Sequence, residues 1–214
     1  KNVAYGLLIQ GVNKVEAYER SQKWIDKVSL NGYENSYPYQ LSGGMQQRVG
    51  LARAMATDAG ILLMDEAFSS LDPLIRSSMQ EILLELQKEL NKTIIFITHD
   101  LNEALRIGDQ ISILRDGEII QTGSPEDILL GPKDKYISNF IKDINRGRML
   151  KVSSIMRKNT SIKAPKILDN ISIEDAIPIL ASASDRIAAV VNKNGNIIGK
   201  VSLDSAISAL SSKK

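Results

Sequence analysis

Two short apolar runs separated by a helical segment constrain the fold of this chain more than any other feature. The first run, GILLMDE, ends at Asp65 and Glu66, and the second, TIIFIT, is followed by His99. Between the runs, apolar residues recur at the three- and four-residue spacing of one helix face. A helix between two strands is the usual connection in a parallel sheet. The sequence therefore predicts a βαβ unit whose two strands are buried on both faces.

The second half of the chain predicts antiparallel and helical elements. In QISILRDGEIIQTG, two β-rich runs flank Asp116-Gly117, a pair that favours a tight hairpin turn. Ser124 then has the position of a helix N-cap, and Asp127, three residues on, has that of the capping-box partner. A helix over residues 14–30 precedes these elements. The overall prediction is an α/β fold.

From Lys151 onward the pattern indicates a separate small α+β domain. A helix capped at Ser172 is followed by a hairpin that turns at Asn194-Gly195 and by a closing helix over 203–212. Each predicted element is short, and they alternate between helix and strand. We therefore expect two domains, at residues 1–145 and 151–214.

Composition narrows the classes of function. The 214 residues are 43% hydrophobic and 24% charged, and the formal net charge is +2. So small a charge, interspersed along the chain, gives no support to nucleic-acid binding. The absence of cysteine excludes disulfides and thiolate metal sites. No apolar run reaches the 18 or so residues of a membrane span, and the opening residues, KNVAYGLLIQGV, resemble the interior of a longer chain.

The stretch LSGGMQQR predicts a helix whose N-terminus is open to an anion. Ser42 is the expected N-cap of a helix over 43–57. The first backbone N–H groups of a helix have no partner within it, and Gly43 and Gly44 have no side chains to keep a phosphate away. An ordinary capped helix with a flexible entry is the alternative for a Ser-Gly-Gly taken alone.

The acids that follow the first apolar run are the candidate catalytic groups. Asp65 and Glu66 come at the carboxyl end of a parallel strand, where α/β folds bind their ligands. Strand alternation directs the two side chains oppositely, so that one carboxylate can hold Mg²⁺ while the other orients or deprotonates a water. His99 ends the next strand at the same edge. Taken separately, a helix-terminal charge pair and a satisfied polar histidine are the alternatives.

In their order, LSGGMQQR, ILLMDEAFSSLD and IIFITHD resemble the motifs of the ATP-binding-cassette (ABC) ATPases. The resemblance covers residues 1 to about 145 and implies a partial P-loop NTPase, with a RecA-like parallel sheet and a helical subdomain. It implies that the signature motif, Ser42, Gly43 and Gly44, binds the γ-phosphate of an ATP held mainly by a second ATPase subunit, with Gln46 and Gln47 nearby.

The same resemblance assigns roles to the acids and the histidine. It implies that Asp65 holds Mg²⁺, that Glu66 is the general base, and that His99 senses the γ-phosphate. The loop SSLD, which ends at Asp72, would cross the dimer interface. No GxxxxGK[ST] phosphate loop occurs here, so we expect the full-length protein to be an ATPase and this chain alone to be inactive.

Residues 151–214 resemble a single cystathionine-β-synthase (CBS) module, which implies a regulatory domain, and the alternative is a small packing domain with no ligand. A cassette followed by such a module resembles the ATPase subunits of glycine betaine/proline importers. That resemblance implies ATP and Mg²⁺ as cofactors, membrane permeases and indirectly an external substrate-binding protein as partners, no nucleic acid, and a peripheral location on the cytoplasmic face of the plasma membrane. The alternatives are a soluble ABC ATPase of DNA repair or translation and a nucleotide-sensing regulatory protein.

Overall fold

The computed structural model describes residues 1–90, 92–158 and 162–211. The chain divides into two compact units, Lys1–His99 and Asp100–Lys214. Both mix helices and strands, as the predicted α/β class requires. The sequence predicts a domain boundary near residues 145–151, whereas the contacts divide the chain after His99. The predicted domains therefore remain a prediction.

Among its described residues, the first unit contains four α-helices, a 3₁₀ turn and two strands. In chain order they are α1 (Tyr5–Ile9), α2 (Lys14–Lys27), the 3₁₀ turn (Pro38–Gln40), α3 (Gly43–Ala56), β1 (Ile61–Asp65), α4 (Pro73–Leu90) and β2 (Thr93–Ile97). Asn13 caps α2 and Ser42 caps α3, the latter as predicted. The core of this unit forms where the helices meet, around Leu7, Val28, Met55, Met79 and Leu83.

Strands β1 and β2 are parallel and pair from Ile61 with Thr93 to Asp65 with Ile97. The βαβ prediction is therefore confirmed. The prediction that both strands are buried on both faces is wrong for this chain, because alternate residues of each strand are exposed. Leu63, for example, is 72% exposed. Apolar composition favours burial on both faces, but only one face of this two-stranded sheet is covered within the unit.

The second unit contains six helices and six strands among the residues described. Its first part runs α5 (Leu101–Ile107), β3 (Ile111–Arg115), β4 (Glu118–Gly123), α6 (Pro125–Leu130), α7 (Lys135–Phe140) and α8 (Arg146–Met149). The rest runs β5 (Arg157–Lys158), β6 (Lys166–Leu168), α9 (Ile173–Ser182), β7 (Ile187–Val191), β8 (Ile197–Ser202) and α10 (Leu203–Leu210).

The local predictions for this unit are confirmed at their turns and caps. Strands β3 and β4 pair antiparallel around Asp116 and Gly117, which both have the positive φ of a tight hairpin turn. Ser124 and Asp127 form the capping box of α6. Ser172 caps α9. Sequence reasoning missed β5 and β6, which have only two and three residues and therefore show no periodicity.

The described residues 151–158 and 162–211 contain a four-stranded sheet in the order β5-β8-β7-β6, with α9 and α10. Residues 159–161 and 212–214 of the predicted module lie outside the described residues. The residues just before the module do not form an extended linker, because they include α8, which packs against α9 and α10. A Cβ on Gly147 would meet the Glu174 Cβ at 3.3 Å and the Leu210 Cδ2 at 3.4 Å.

One hydrophobic core runs through the whole second unit. It joins Leu101 and Leu105 of α5 to the fully buried Leu150 and Val152, and it continues into the module. Backbone hydrogen bonds cross the same point. The amide of Ile173 donates to the Leu150 carbonyl at 2.9 Å. The segment that follows His99 and the predicted module are therefore parts of one packed body.

Among the residues that the structure describes, no helix combines the length and the apolar character that crossing a membrane requires.

Candidate functional site

The carboxyl end of β1 presents both predicted acids. Asp65 is the last strand residue and is exposed. The amide of Glu66 donates to the Ile97 carbonyl at 2.9 Å, but the Glu66 backbone has a left-handed φ of 44°. A non-glycine residue held there costs about 1–3 kcal/mol and indicates a constrained position. Strand alternation ends before Glu66 and so does not set the direction of its side chain, contrary to the expectation from sequence.

The structure brings Glu66 and His99 together. His99 Nδ1 lies 2.9 Å from Glu66 Oε1, across the ends of β1 and β2. The His99 side chain is 72% exposed and the Glu66 side chain is 49% exposed. The turn after Glu66 is held by Ser69, whose amide and Oγ both donate to the Glu66 carbonyl. The pair is thus accessible to a reactant, while its backbone is fixed.

The N-terminus of α3 has the geometry that the sequence predicted. Ser42 Oγ accepts from the Met45 amide at 3.3 Å. The two glycines differ in their surroundings. A Cβ on Gly43 would meet nothing within 4 Å, whereas one on Gly44 would lie 2.4 Å from Ile75 Cγ2 of α4. Close packing against α4 therefore explains Gly44, while Gly43 leaves the helix end open.

Gln46 and Gln47 donate hydrogen bonds within the chain. Gln46 Nε2 donates to the carbonyls of Pro38 and Leu41 at 3.0 and 3.1 Å, which fastens the 3₁₀ turn to α3. Gln47 Nε2 donates to the Ala67 carbonyl. This contact joins the helix to the turn that carries Glu66. Both amides thereby position the neighbouring parts of the candidate site.

Asp72 ends the SSLD loop and caps α4. Its Oδ1 accepts from the amides of Leu74 and Ile75, both at 3.1 Å. Arg76 Nη2 donates to the carbonyls of Ser69 and Leu71, at 3.1 and 3.2 Å. The loop is therefore held to the start of α4 by hydrogen bonds to its backbone as well as to Asp72. Asp72 is therefore a structural capping residue in this chain, whatever it contacts in an assembly.

The described residues contain no group of three histidine, cysteine, aspartate or glutamate side chains that converge as metal ligands. Asp65 is an exposed carboxylate at the end of its strand. Carboxylate oxygen suits Mg²⁺, which usually keeps several waters and takes only one or two carboxylates together with substrate phosphates. The donor set fits a Mg²⁺ that is shared with a nucleotide, and it does not fit a metal held by the protein alone.

A feature that sequence reasoning missed lies just before Ser42. Tyr37 and Tyr39 stack on each other, with ring centroids 5.7 Å apart and planes 9° from parallel. The rings are 64% and 81% exposed. The signal in the sequence was the recurrence of tyrosine at 33, 37 and 39.

Comparison with known proteins gives the same identification as the motifs. The family model described as "ABC transporter" matches residues 3–69. The chain is 48% identical to the glycine betaine/carnitine transport ATP-binding protein GbuA of Listeria monocytogenes, over 94% of this chain and 50% of that protein. It is 40% identical to the glycine betaine/proline betaine transport system ATP-binding protein ProV of Escherichia coli, over 100% of this chain and 53% of ProV.

The solved structures include a similar fold. The structure of CbiO1 from Clostridium perfringens, part of the ABC transporter complex CbiONQ, aligns with a TM-score of 0.55 at 25% identity, and the alignment covers 65% of this chain and 55% of CbiO1. The chain spans about half the length of the curated relatives named above. The family model and these relatives show that the chain belongs to the ABC transporter family, and it is similar to ATP-binding proteins of glycine betaine, carnitine and proline betaine transport.

Proposed function

We propose that this chain carries the signature and switch part of an ATP-hydrolysing subunit, which powers import of glycine betaine and related quaternary amines. The observation that supports the proposal best is the contact between Glu66 and His99 at the carboxyl edge of a parallel pair of strands. The same unit holds an uncovered helix N-terminus at Ser42 and Gly43. Phosphoryl transfer to water requires both a base and an anion-binding element, and in the proposed dimer the two that meet at one ATP come from different subunits.

Glu66 is proposed as the general base. Its carboxylate is exposed enough to accept a proton from water, and its backbone is held by Ile97 and Ser69. His99 Nδ1 lies within hydrogen-bond distance of this carboxylate. The other ring nitrogen, Nε2, can contact a phosphate oxygen. His99 is therefore proposed to sense a γ-phosphate next to the base.

The phosphate-binding role falls to the start of α3. The free N–H groups after Ser42 and the positive end of the helix dipole attract an anion, and Gly43 allows close approach. Asp65 would hold Mg²⁺, which supplies charge neutralisation at the phosphates. Gln46, Gln47 and Asp72 hold the loops around the site in place, as their hydrogen bonds support.

The proposed assembly is a dimer of ATPase subunits in which the signature of one faces an ATP held by the other. Membrane permeases and an external binding protein complete the importer, and the ATPase lies on the cytoplasmic face of the plasma membrane. The similarity to transport ATP-binding proteins supports this proposed assembly. Residues 151–214 are proposed as a single CBS-like regulatory module and residues 1–145 as the ATPase domain.

The test is the Glu66→Gln variant of the full-length protein. We expect ATP hydrolysis and glycine betaine uptake to fall by about 100-fold or more, because the amide cannot accept the proton, while ATP-induced dimerisation persists. Dimerisation is measured by light scattering. Glu19→Gln, an exposed substitution on α2, is the matched control and should leave both rates unchanged. A Glu66→Gln enzyme that keeps most of the wild-type rate would show that the base is another group.

A further inference from the structure

We propose that Gln47 is a positioning residue for Glu66 of its own chain and is not a ligand of the nucleotide. Its Nε2 donates to the Ala67 carbonyl, one residue after the base. In the proposed dimer, the helix that carries Gln47 meets the ATP held by the partner subunit, whereas Glu66 acts on the ATP of its own subunit. Gln47 thereby ties the helix at one ATP to the base at the other. This inference rests on the proposed function and deepens it.

The backbone on both sides of Glu66 is held by hydrogen bonds. The Glu66 amide donates to the Ile97 carbonyl, and the Glu66 carbonyl accepts from the amide and Oγ of Ser69. The next carbonyl, that of Ala67, accepts from Gln47. A non-glycine residue keeps a left-handed φ only where its surroundings hold it there. Gln47 is therefore part of what fixes the direction of the Glu66 side chain.

Two helices hold the loop after the base through its carbonyls. Arg76 of α4 donates to the carbonyls of Ser69 and Leu71. Gln47 of α3 donates to that of Ala67, 20 positions further along the chain. Ala67 is half-buried, and a carbonyl that loses its donor away from water is costly. We therefore expect the start of the loop, next to the base, to shift when residue 47 cannot donate.

Helix α3 is joined firmly to α4 on the side that carries Gln47. Gly44 and Gln47 are three residues apart and therefore share a helix face. A Cβ at Gly44 would overlap Ile75 of α4. Arg48 Nη2 donates to Ser78 Oγ, also on α4, at 3.1 Å. The helix that would meet a phosphate and the loop that carries the base are thus connected by close packing as well as by the Gln47 hydrogen bond.

The alternative is that Gln47 contacts the γ-phosphate of the ATP held by the partner subunit, as the family resemblance implied. The two roles differ in which base depends on Gln47. A positioning role acts on Glu66 of the same chain. A phosphate contact acts on the ATP of the partner, and so on hydrolysis by the partner's base.

The first experiment measures steady-state ATP hydrolysis by full-length homodimers. Gln47→Met keeps the side-chain length and removes the donor, and Gln47→Glu keeps the shape and has no donor when ionised. We expect kcat to fall about tenfold or more in both variants, because the base is misplaced, while the KM for ATP stays within about twofold of the wild type. Gln10→Met, the same change at an exposed position after α1, should leave both constants unchanged.

Mixed dimers, purified through two different affinity tags, decide between the two roles. When Gln47→Met and Glu66→Gln are on the same chain, the remaining base has its own intact Gln47. This dimer should hydrolyse ATP at the rate of a dimer of Glu66→Gln with the wild type. When the two substitutions are on different chains, the remaining base lacks its Gln47, and the rate should be about tenfold lower or less.

The reverse order of these two rates would overturn the proposal and assign Gln47 to the ATP of the partner subunit. Equal rates would overturn it as well, because damage to folding or to dimerisation affects both mixed dimers alike. So would an unchanged kcat in both homodimer variants. Failure of the proposed function is seen separately, as ATP hydrolysis that survives in the Glu66→Gln homodimer.

Discussion

The two compact units of this chain differ in how they bury apolar surface. The second unit, Asp100–Lys214, is organised around one continuous core in which Leu150 and Val152 are fully buried. The first unit, Lys1–His99, leaves one face of its parallel strands exposed, including Leu63 and Ile97. The candidate site lies in the open unit, at the ends of those strands. The structure thus places reactive groups on a partly covered scaffold and confines its most complete core to the other unit.

The largest effect that this comparison predicts is the loss of a core side chain from the second unit. Leu150→Ala should lower the free energy of unfolding by about 2–5 kcal/mol, because it leaves a cavity in a closed core. Leu63→Ala, on the exposed strand face, should change it by no more than about 0.5 kcal/mol. Urea unfolding of the chain followed by circular dichroism measures both. Equal losses would show that the two units are buried to the same degree.

The next effect distinguishes two glycines of α3 in the open unit. Gly44→Ala should destabilise the chain by about 1–3 kcal/mol, because its Cβ would overlap Ile75. Gly50→Ala has open space and should stabilise the helix by about 0.5–1 kcal/mol. Thermal unfolding of the two variants provides the comparison. If both substitutions stabilised the chain, the contact between α3 and α4 would be looser than the structure shows.

Acid should weaken both units through carboxylates that include Asp58 in the first and Asp127 in the second. Hydrogen bonding and the charge of Lys92 lower the pKa of Asp58, while hydrogen bonds from Ser124 lower the pKa of Asp127. A lowered pKa in the folded state contributes stability that is present above the unfolded value of about 3.9 and is lost as the pH falls through the folded pKa. The stability advantage of the wild type over Asp58→Asn or Asp127→Asn should therefore shrink below about pH 4. Unfolding curves measured across this range would contradict the assignment if the advantage stayed constant.

The smallest effect concerns an ion pair on the surface of the second unit. Arg148 Nε lies 3.1 Å from Glu174 Oε2, and both side chains are substantially exposed. A double-mutant cycle with Arg148→Met and Glu174→Gln should give a coupling of at most about 1 kcal/mol. The coupling should disappear in about 1 M salt, where screening is strong. A coupling that resists salt would mean that the pair is more enclosed than its exposure indicates.

Sequence patterns predicted the elements whose causes are local. The caps at Ser42, Ser124 and Ser172 need only a short polar side chain before a helix, and the Asp116-Gly117 turn needs only positive φ. The contact between Glu66 and His99 was anticipated as a shared sheet edge, because parallel strands end together.

The features that sequence reasoning missed depend on tertiary context. The left-handed backbone of Glu66 has no composition signal, since glutamate rarely adopts it. The exposed face of β1 differs from the prediction of burial, because an apolar run does not indicate whether one face of a strand or both faces are covered by other elements. Helix α8, Arg146–Met149, has only one turn, so it has no apolar periodicity in the sequence. Its place in the fold depends on the close packing of Gly147 against α9 and α10.

The continuous core of the second unit would couple any ligand of the proposed module to stability elsewhere in that unit. A ligand that binds the folded module and not the unfolded chain stabilises the whole cooperative body by RT ln(1 + [L]/Kd), about 2.7 kcal/mol at a hundredfold excess over Kd. Leu101 and Leu105 of α5 belong to that body. The helix begins two residues after His99. Saturating the module would therefore slow amide hydrogen exchange in α5, in a segment that directly follows the histidine by chain connectivity.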